Sequence, residues 1–129
     1  MLQRSDKTIT EMAARALQTE ADAISDLIPR LGASFVRAIR LMAACKGKVV
    51  MTGMGKAGIV AQKSSATLAS TGTPSVWLHL AEAVHGDLGR IGKADVTLVL
   101  SYSGETEELR TVIPVLKKIG SKIIAMTGN

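Results

Sequence analysis

Three hydroxyls and a glycine stand together at Ser101, Ser103, Gly104 and Thr106, directly behind the apolar run Val96-Thr97-Leu98-Val99-Leu100. Acids follow at Glu105, Glu107 and Glu108, and then Leu109, Val112, Ile113 and Leu116 recur at helical spacing. This is the pattern of a buried strand, a polar turn and an amphipathic helix. Hydroxyls placed beside the free N–H groups of a helix N-terminus suit an anion, phosphate first among them. A plain N-cap is the competing account: Ser103 satisfies one helix donor while the acids complement the helix dipole.

A second loop, Gly53-Met54-Gly55-Lys56-Ala57-Gly58, also follows an apolar stretch. It satisfies G-x-G-x-x-G, a pattern that binds dinucleotides when it joins a strand to a helix. That reading wants an acid about 20 residues on to hold a ribose, and His79 stands there instead. The P-loop reading fails as well, because Val50 occupies the place of its first glycine and Ala57 that of its Ser/Thr. Lys56 is the informative residue: an ammonium at a sheet's edge is a mobile point charge for a phosphate or substrate oxygen. A third group is His79, Glu82, His85 and Asp87, which holds both histidines of the chain. Imidazoles and carboxylates can ligate a divalent metal, or give and take protons beside a sugar. A polar wall of the ligand site is the preferred reading, and no metal is assigned.

The elements that position these groups follow in order. A stripe of Ile9, Met12, Ala16, Leu17, Ile24 and Leu27 predicts a helix from about Thr8 to Leu27. Pro29 and Gly32 interrupt it, and Phe35, Ile39 and Met42 begin a second helix after Ser34. Strands are expected at 48–52, 75–79, 95–101 and 122–126. Helices are expected from about Ile59 to Ser70 and from Glu105 to Ile119, with a short helix or loop over 80–89. Helices alternating with short apolar strands predict an α/β fold, a parallel sheet covered on both faces. With a flavodoxin-like strand order the first and third strands are neighbours where the winding reverses, and ligands bind there, beyond the strand C-termini. The loops at that point are 53–58 and 101–106, so topology and chemistry select one crevice.

Composition narrows the partners. The 129 residues suffice for one domain with a real core. Hydrophobic residues make up 47%, yet Phe35, Trp77 and Tyr102 are the only aromatics, so the core is aliphatic. The net charge of +5 is dispersed, without a basic stripe or aromatic platforms, which argues against nucleic acid. No apolar run approaches the roughly 20 residues of a membrane span, and the N-terminus is charged rather than signal-like. The single Cys45 excludes an internal disulfide and is expected to be an inert buried thiol; the chain reads as cytoplasmic.

Taken together, Gly53-Met54-Gly55-Lys56, Ser70-Thr71-Gly72-Thr73-Pro74, Glu82-Ala83-Val84-His85-Gly86-Asp87-Leu88-Gly89, Ser101-Tyr102-Ser103-Gly104-Glu105-Thr106 and Ile113-Pro114-Val115-Leu116-Lys117 resemble a sugar isomerase (SIS) domain. More narrowly, they resemble the bacterial arabinose-5-phosphate isomerases. The resemblance implies a three-layer α/β/α fold with a five-stranded parallel sheet. It implies cofactor-free interconversion of arabinose 5-phosphate and ribulose 5-phosphate, which supplies the Kdo sugar of lipopolysaccharide. Ser101, Ser103, Gly104, Thr106 and Gly55 would surround the phosphate, and Lys56, Glu108, Glu82 and His85 would be the catalytic set. Two positions depart from the family: Ala57 replaces a usual serine, and His79-Leu80-Ala81-Glu82 a usual H-P-G-E. The expected organisation is a helical leader over 1–45 packed on the domain and a SIS domain over 46–129. That domain would lack its last strand and helices, with another catalytic glutamate and histidine, so this chain alone is expected to be poorly active. An unpaired sheet edge predicts a homo-oligomer. The alternative is a non-catalytic SIS domain that senses a sugar phosphate for a regulator.

Overall fold

The computed structural model describes residues 5–128, which divide into two compact units, one up to Arg37 and one from Ala38 onward. The first holds α1 (Asp6–Ser25), a 3-10 turn (Ile28–Arg30) and the start of α2 (Ala33–Ala43). Ser5 caps α1, its hydroxyl accepting from the Thr8 N–H at 3.3 Å. The expected stripe is present, and Ile9, Met12, Leu17 and Ile24 are all exposed.

The second unit carries the sheet. Its elements are β1 (Val49–Gly53), α3 (Gly55–Ser70), β2 (Ser75–His79), α4 (Leu80–Ala83), β3 (Val96–Ser101), α5 (Glu107–Ile119) and β4 (Lys122–Thr127), with a 3-10 turn at Asp87–Arg90. All four strands are parallel, in the order β2-β1-β3-β4. This is the doubly wound order the sequence pattern anticipates, and its reversal lies between β1 and β3.

Alternation along the strands divides the core into two layers. Val50, Leu78 and Val99 face Leu80 and Ala83 of α4 and Leu109, Val112 and Leu116 of α5. Val49, Met51 and Leu98 face Ala61 of α3, with Met42 and Leu68 against them. Each fully buried Leu or Val contributes about 1.5–3 kcal/mol through its loss of water contact. The small residues of α3 let it lie close to the sheet. Ser65 donates to the Ser75 hydroxyl at 2.9 Å, and Ser75 in turn donates to the Val49 carbonyl at 2.8 Å.

Two helix starts differ from the sequence pattern. The third helix begins at Gly55 rather than near Ile59, so Lys56 lies in its first turn. The fifth begins at Glu107, and Glu105 precedes it. Cys45 is two residues past the end of α2 and only half-buried, its thiol donating to the Ala94 carbonyl at 3.4 Å.

Candidate functional site

The crevice at the strand reversal is built by two strand ends and two helix starts. Gly53, the last residue of β1, pairs with His79 of β2 on one side and Leu100 of β3 on the other. A side chain on Gly53 would stand 2.8 Å from the Leu100 carbonyl oxygen, and one on Gly58 would stand 2.7 Å from that of Gly53. The glycine pattern of this loop is therefore a packing requirement. It lets the first turn of α3 sit directly on the end of β1, with Lys56 exposed and Gly55 turned at φ +56°.

The serine turn has its own internal order. Ser101 is buried, shares a 2.9 Å hydrogen bond with the Thr106 hydroxyl and accepts the Gly104 N–H at 3.1 Å. Ser103 accepts the Glu105 N–H at 3.2 Å. Gly104 adopts φ +73°, a conformation that costs side-chain-bearing residues free energy and fixes the reversal there. The turn is tied to the end of β4 by the Gly128 N–H, which donates to the Tyr102 carbonyl at 3.0 Å.

These bonds bear on the capping account. The N-cap of α5 is Thr106, and it makes no side-chain cap hydrogen bond. The Ser103 hydroxyl holds Glu105, which lies ahead of the helix. Met54, the N-cap of α3, has no side-chain cap hydrogen bond either. Neither N-cap residue thus supplies a side-chain cap, and the two helix N-termini, which carry partial positive charge, open onto one crevice. Between them is a depression of about 360 Å³ lined by Met54, Lys56, Ala57, Leu100, Ser101, Tyr102, Ser103 and Thr106. Its size suits a small ligand. Hydroxyls, backbone donors and one ammonium are groups that bind a phosphate ester.

The other expected residues lie on the same edge of the sheet but do not line this depression. Glu82 is exposed in α4, and His85 is exposed just beyond it. Glu108 is half-buried in the first turn of α5. Leu80, Ala83 and Leu109 share one core cluster, which fixes α4 against the start of α5. Asp87 pairs with Arg90 at 3.2 Å, and His79 stacks edge-on with Trp77, ring centroids 5.4 Å apart. Among the described residues no three His, Cys, Asp or Glu side chains are grouped to hold a metal ion. Also among them, no helix is long and apolar enough to cross a membrane. Sequence reasoning missed Tyr102 as a lining residue and Gly128 as a support. A side chain at Gly128 would stand 2.7 Å from the Tyr102 ring, a close approach to which glycine in the run 126–129 was the only clue.

Comparison with known proteins identifies the fold and the family. A model of the SIS domain matches residues 41–129. The chain belongs to the SIS-domain family. Arabinose 5-phosphate isomerase KdsD of Pseudomonas aeruginosa is 53% identical to this SIS protein over 117 residues, 91% of the chain and 36% of the relative. A probable arabinose 5-phosphate isomerase of Haemophilus influenzae is 47% identical over 119 residues, 92% of the chain and 35% of the relative. The SIS chain therefore spans about a third of the length of these curated relatives. A solved structure of an Escherichia coli CFT073 protein in complex with arabinose 5-phosphate matches with a TM-score of 0.91 at 40% identity. That match covers 98% of this chain and 67% of the solved one.

Proposed function

We propose that this SIS domain binds a pentose 5-phosphate at the serine turn and forms part of an aldose–ketose isomerase acting between arabinose 5-phosphate and ribulose 5-phosphate. The observation that carries the reading is the pair of helix N-termini at one depression. They converge with Ser101, Ser103, Thr106 and Lys56 on one depression. The resemblance to arabinose 5-phosphate isomerases supplies the sugar.

In this reading the phosphate accepts from the N–H groups of the first turns of α3 and α5 and from the serine-turn hydroxyls, with Lys56 as counter-charge. Anchoring that end fixes where C1 and C2 lie, and converts a collision into a positioned encounter. After ring opening, the C2 proton is removed and a proton is delivered to O1, giving an enediol. Protonation at C1 and loss of the O2 proton complete the ketose. Such transfers need a placed acid and base. Glu108, Glu82 and His85, on the same edge of the sheet, are the groups assigned to them. No cofactor enters. The product would feed Kdo and lipopolysaccharide synthesis in the cytoplasm. The exposed apolar stripe on α1 supports a homo-oligomer.

Calorimetry with arabinose 5-phosphate and with arabinose tests the reading. The phosphorylated sugar should bind at least tenfold more tightly. That preference should fall by about tenfold or more in a Ser101→Ala/Ser103→Ala variant, since a hydrogen bond to a charged group is worth about 1.5–3 kcal/mol. Equal affinity for both sugars overturns the site. Formation of arabinose 5-phosphate from ribulose 5-phosphate by this chain would assign catalysis to the domain itself; binding with little turnover is the outcome expected of a chain that spans about a third of the length of its relatives.

A further inference from the structure

At the opposite edge of the sheet, where the strands begin, a second depression of about 340 Å³ has Leu41, Lys46, Lys93, Ala94, Asp95 and Lys122 in its lining. Three lysines from three separate connections line it. Lys46 precedes β1, Lys93 lies in the turn before β3, and Lys122 opens β4. Backbone bonds hold these segments side by side: the Gly47 N–H donates to the Ala94 carbonyl at 3.0 Å and the Lys122 N–H to that of Asp95 at 3.3 Å. Gly47 has no room for a side chain, since a Cβ would collide with the Asp95 carboxylate. The three segments that carry the lysines are therefore held together by the backbone itself.

Their charge is not balanced within the depression. Asp95 is its one carboxylate, and it is already engaged. It accepts from the Lys48 ammonium at 2.7 Å, the Lys48 N–H at 2.9 Å and the Gly92 N–H at 2.8 Å. Lysines in the last turn of a helix are accounted for by the helix dipole, as Lys117 and Lys118 are in α5. Lys46, Lys93 and Lys122 lie outside the helices. Like charges held together repel, and an anion between them relieves that repulsion.

We infer that this depression is a second anion site, separate from the serine turn, and that it takes a compact multivalent phosphate of the diphosphate class. Several charges on one small ligand match three point charges that come from different segments. Lysine ammoniums suit phosphate without demanding planar geometry. The lining holds no aromatic residue on which a nucleobase could stack, so the diphosphate group is itself the recognised chemistry.

Inorganic pyrophosphate titrated into the isotope-labelled chain at constant ionic strength tests the site by backbone amide shifts. Saturable shifts are expected at Lys46, Gly47, Lys93, Ala94 and Lys122. The apparent Kd should rise at least tenfold in a Lys46→Gln/Lys93→Gln/Lys122→Gln variant and stay unchanged in Ser101→Ala/Ser103→Ala. All three lysines are exposed, so the variant spectrum should otherwise overlay; if it does not, the three single changes are read in its place, each raising Kd at least twofold. ADP should bind no more tightly than pyrophosphate. Shifts confined to 101–106, shifts insensitive to the lysine changes, or shifts reproduced by sodium chloride overturn the inference. Because the serine-turn variant is read separately, failure here leaves the sugar-phosphate site untouched, and the reverse also holds.

Discussion

The two edges of the sheet are made in opposite ways. At the strand C-termini, between β1 and β3, hydroxyls and helix donors open onto a depression, and the acids Glu105, Glu107 and Glu108 follow in the turn and in α5. At the strand N-termini, the buried Asp95 carboxylate closes the structure by tying Lys48, Gly92 and the start of β3 together. One edge leaves polar donors facing a depression. The other uses its carboxylate to hold the fold. The lesson is that polar groups of similar kind contribute to stability or to binding according to whether the protein itself supplies their partners.

The sharpest way to break this contrast is at Asp95. Asp95→Ala leaves the Lys48 and Gly92 donors without their acceptor, and unfolding in urea should show a loss of about 3–5 kcal/mol. Burial alone would raise the Asp95 carboxyl, but the Lys48 side chain and the Gly92 and Lys48 N–H groups outweigh it and hold it below its usual 3.8. A carboxyl depressed on folding contributes stability that is present above its unfolded value and lost as pH falls through the folded one. The wild-type chain should therefore lose this increment below pH 3.8, and Asp95→Ala should lack that acid limb.

A smaller and more discriminating change compares two glycines. Gly47→Ala forces a methyl against the Asp95 carboxylate and the Ala94 backbone, and Gly58→Ala forces one against the Gly53 carbonyl. Each should cost about 1–3 kcal/mol by overpacking. Only Gly58→Ala should also weaken sugar-phosphate binding, because it lifts the first turn of α3 from the crevice. Equal loss of binding in both would mean that the two edges are not independent.

The smallest effect is expected at Glu105, exposed in the serine turn. Glu105→Gln removes a negative charge beside the proposed phosphate and should tighten binding by about two- to fivefold, in keeping with a surface charge interaction below 1 kcal/mol. Its melting temperature should not move. Weaker binding would assign Glu105 a positive role in the site.

Much of this arrangement was legible before the structure. The β-branched and apolar runs at 49–53 and 96–101 could only be buried strands, and the polar-glycine turns behind them marked the strand reversal. The start of α5 was not legible. Glu105, Glu107 and Glu108 look alike as a first helical turn, and what excludes Glu105 is the positive φ of Gly104 together with the Ser103 hydroxyl on its N–H. The start of α3 was obscured for a related reason: glycines at 55 and 58 read as loop, whereas Gly58 is there so that the helix can touch the strand. Catalytic roles for Glu82, His85 and Glu108 came from family resemblance. No periodicity distinguishes an acid that meets a substrate from one that meets water.

The hydrogen bond from the Gly128 N–H to the Tyr102 carbonyl has a consequence for the order of assembly. The serine turn is complete in sequence by Thr106, yet its brace arrives 22 positions later, after α5 has crossed over and β4 has paired with β3. Loop-closure entropy has to be overcome by that long return before the brace can form. During synthesis at about 5–20 residues per second, the chain therefore presents the hydroxyls about a second or more before the Gly128 brace can reach them. The brace on the turn thus depends on the pairing of β4 with β3, whereas the Val49–Val96 pairing of β1 with β3 can form without it.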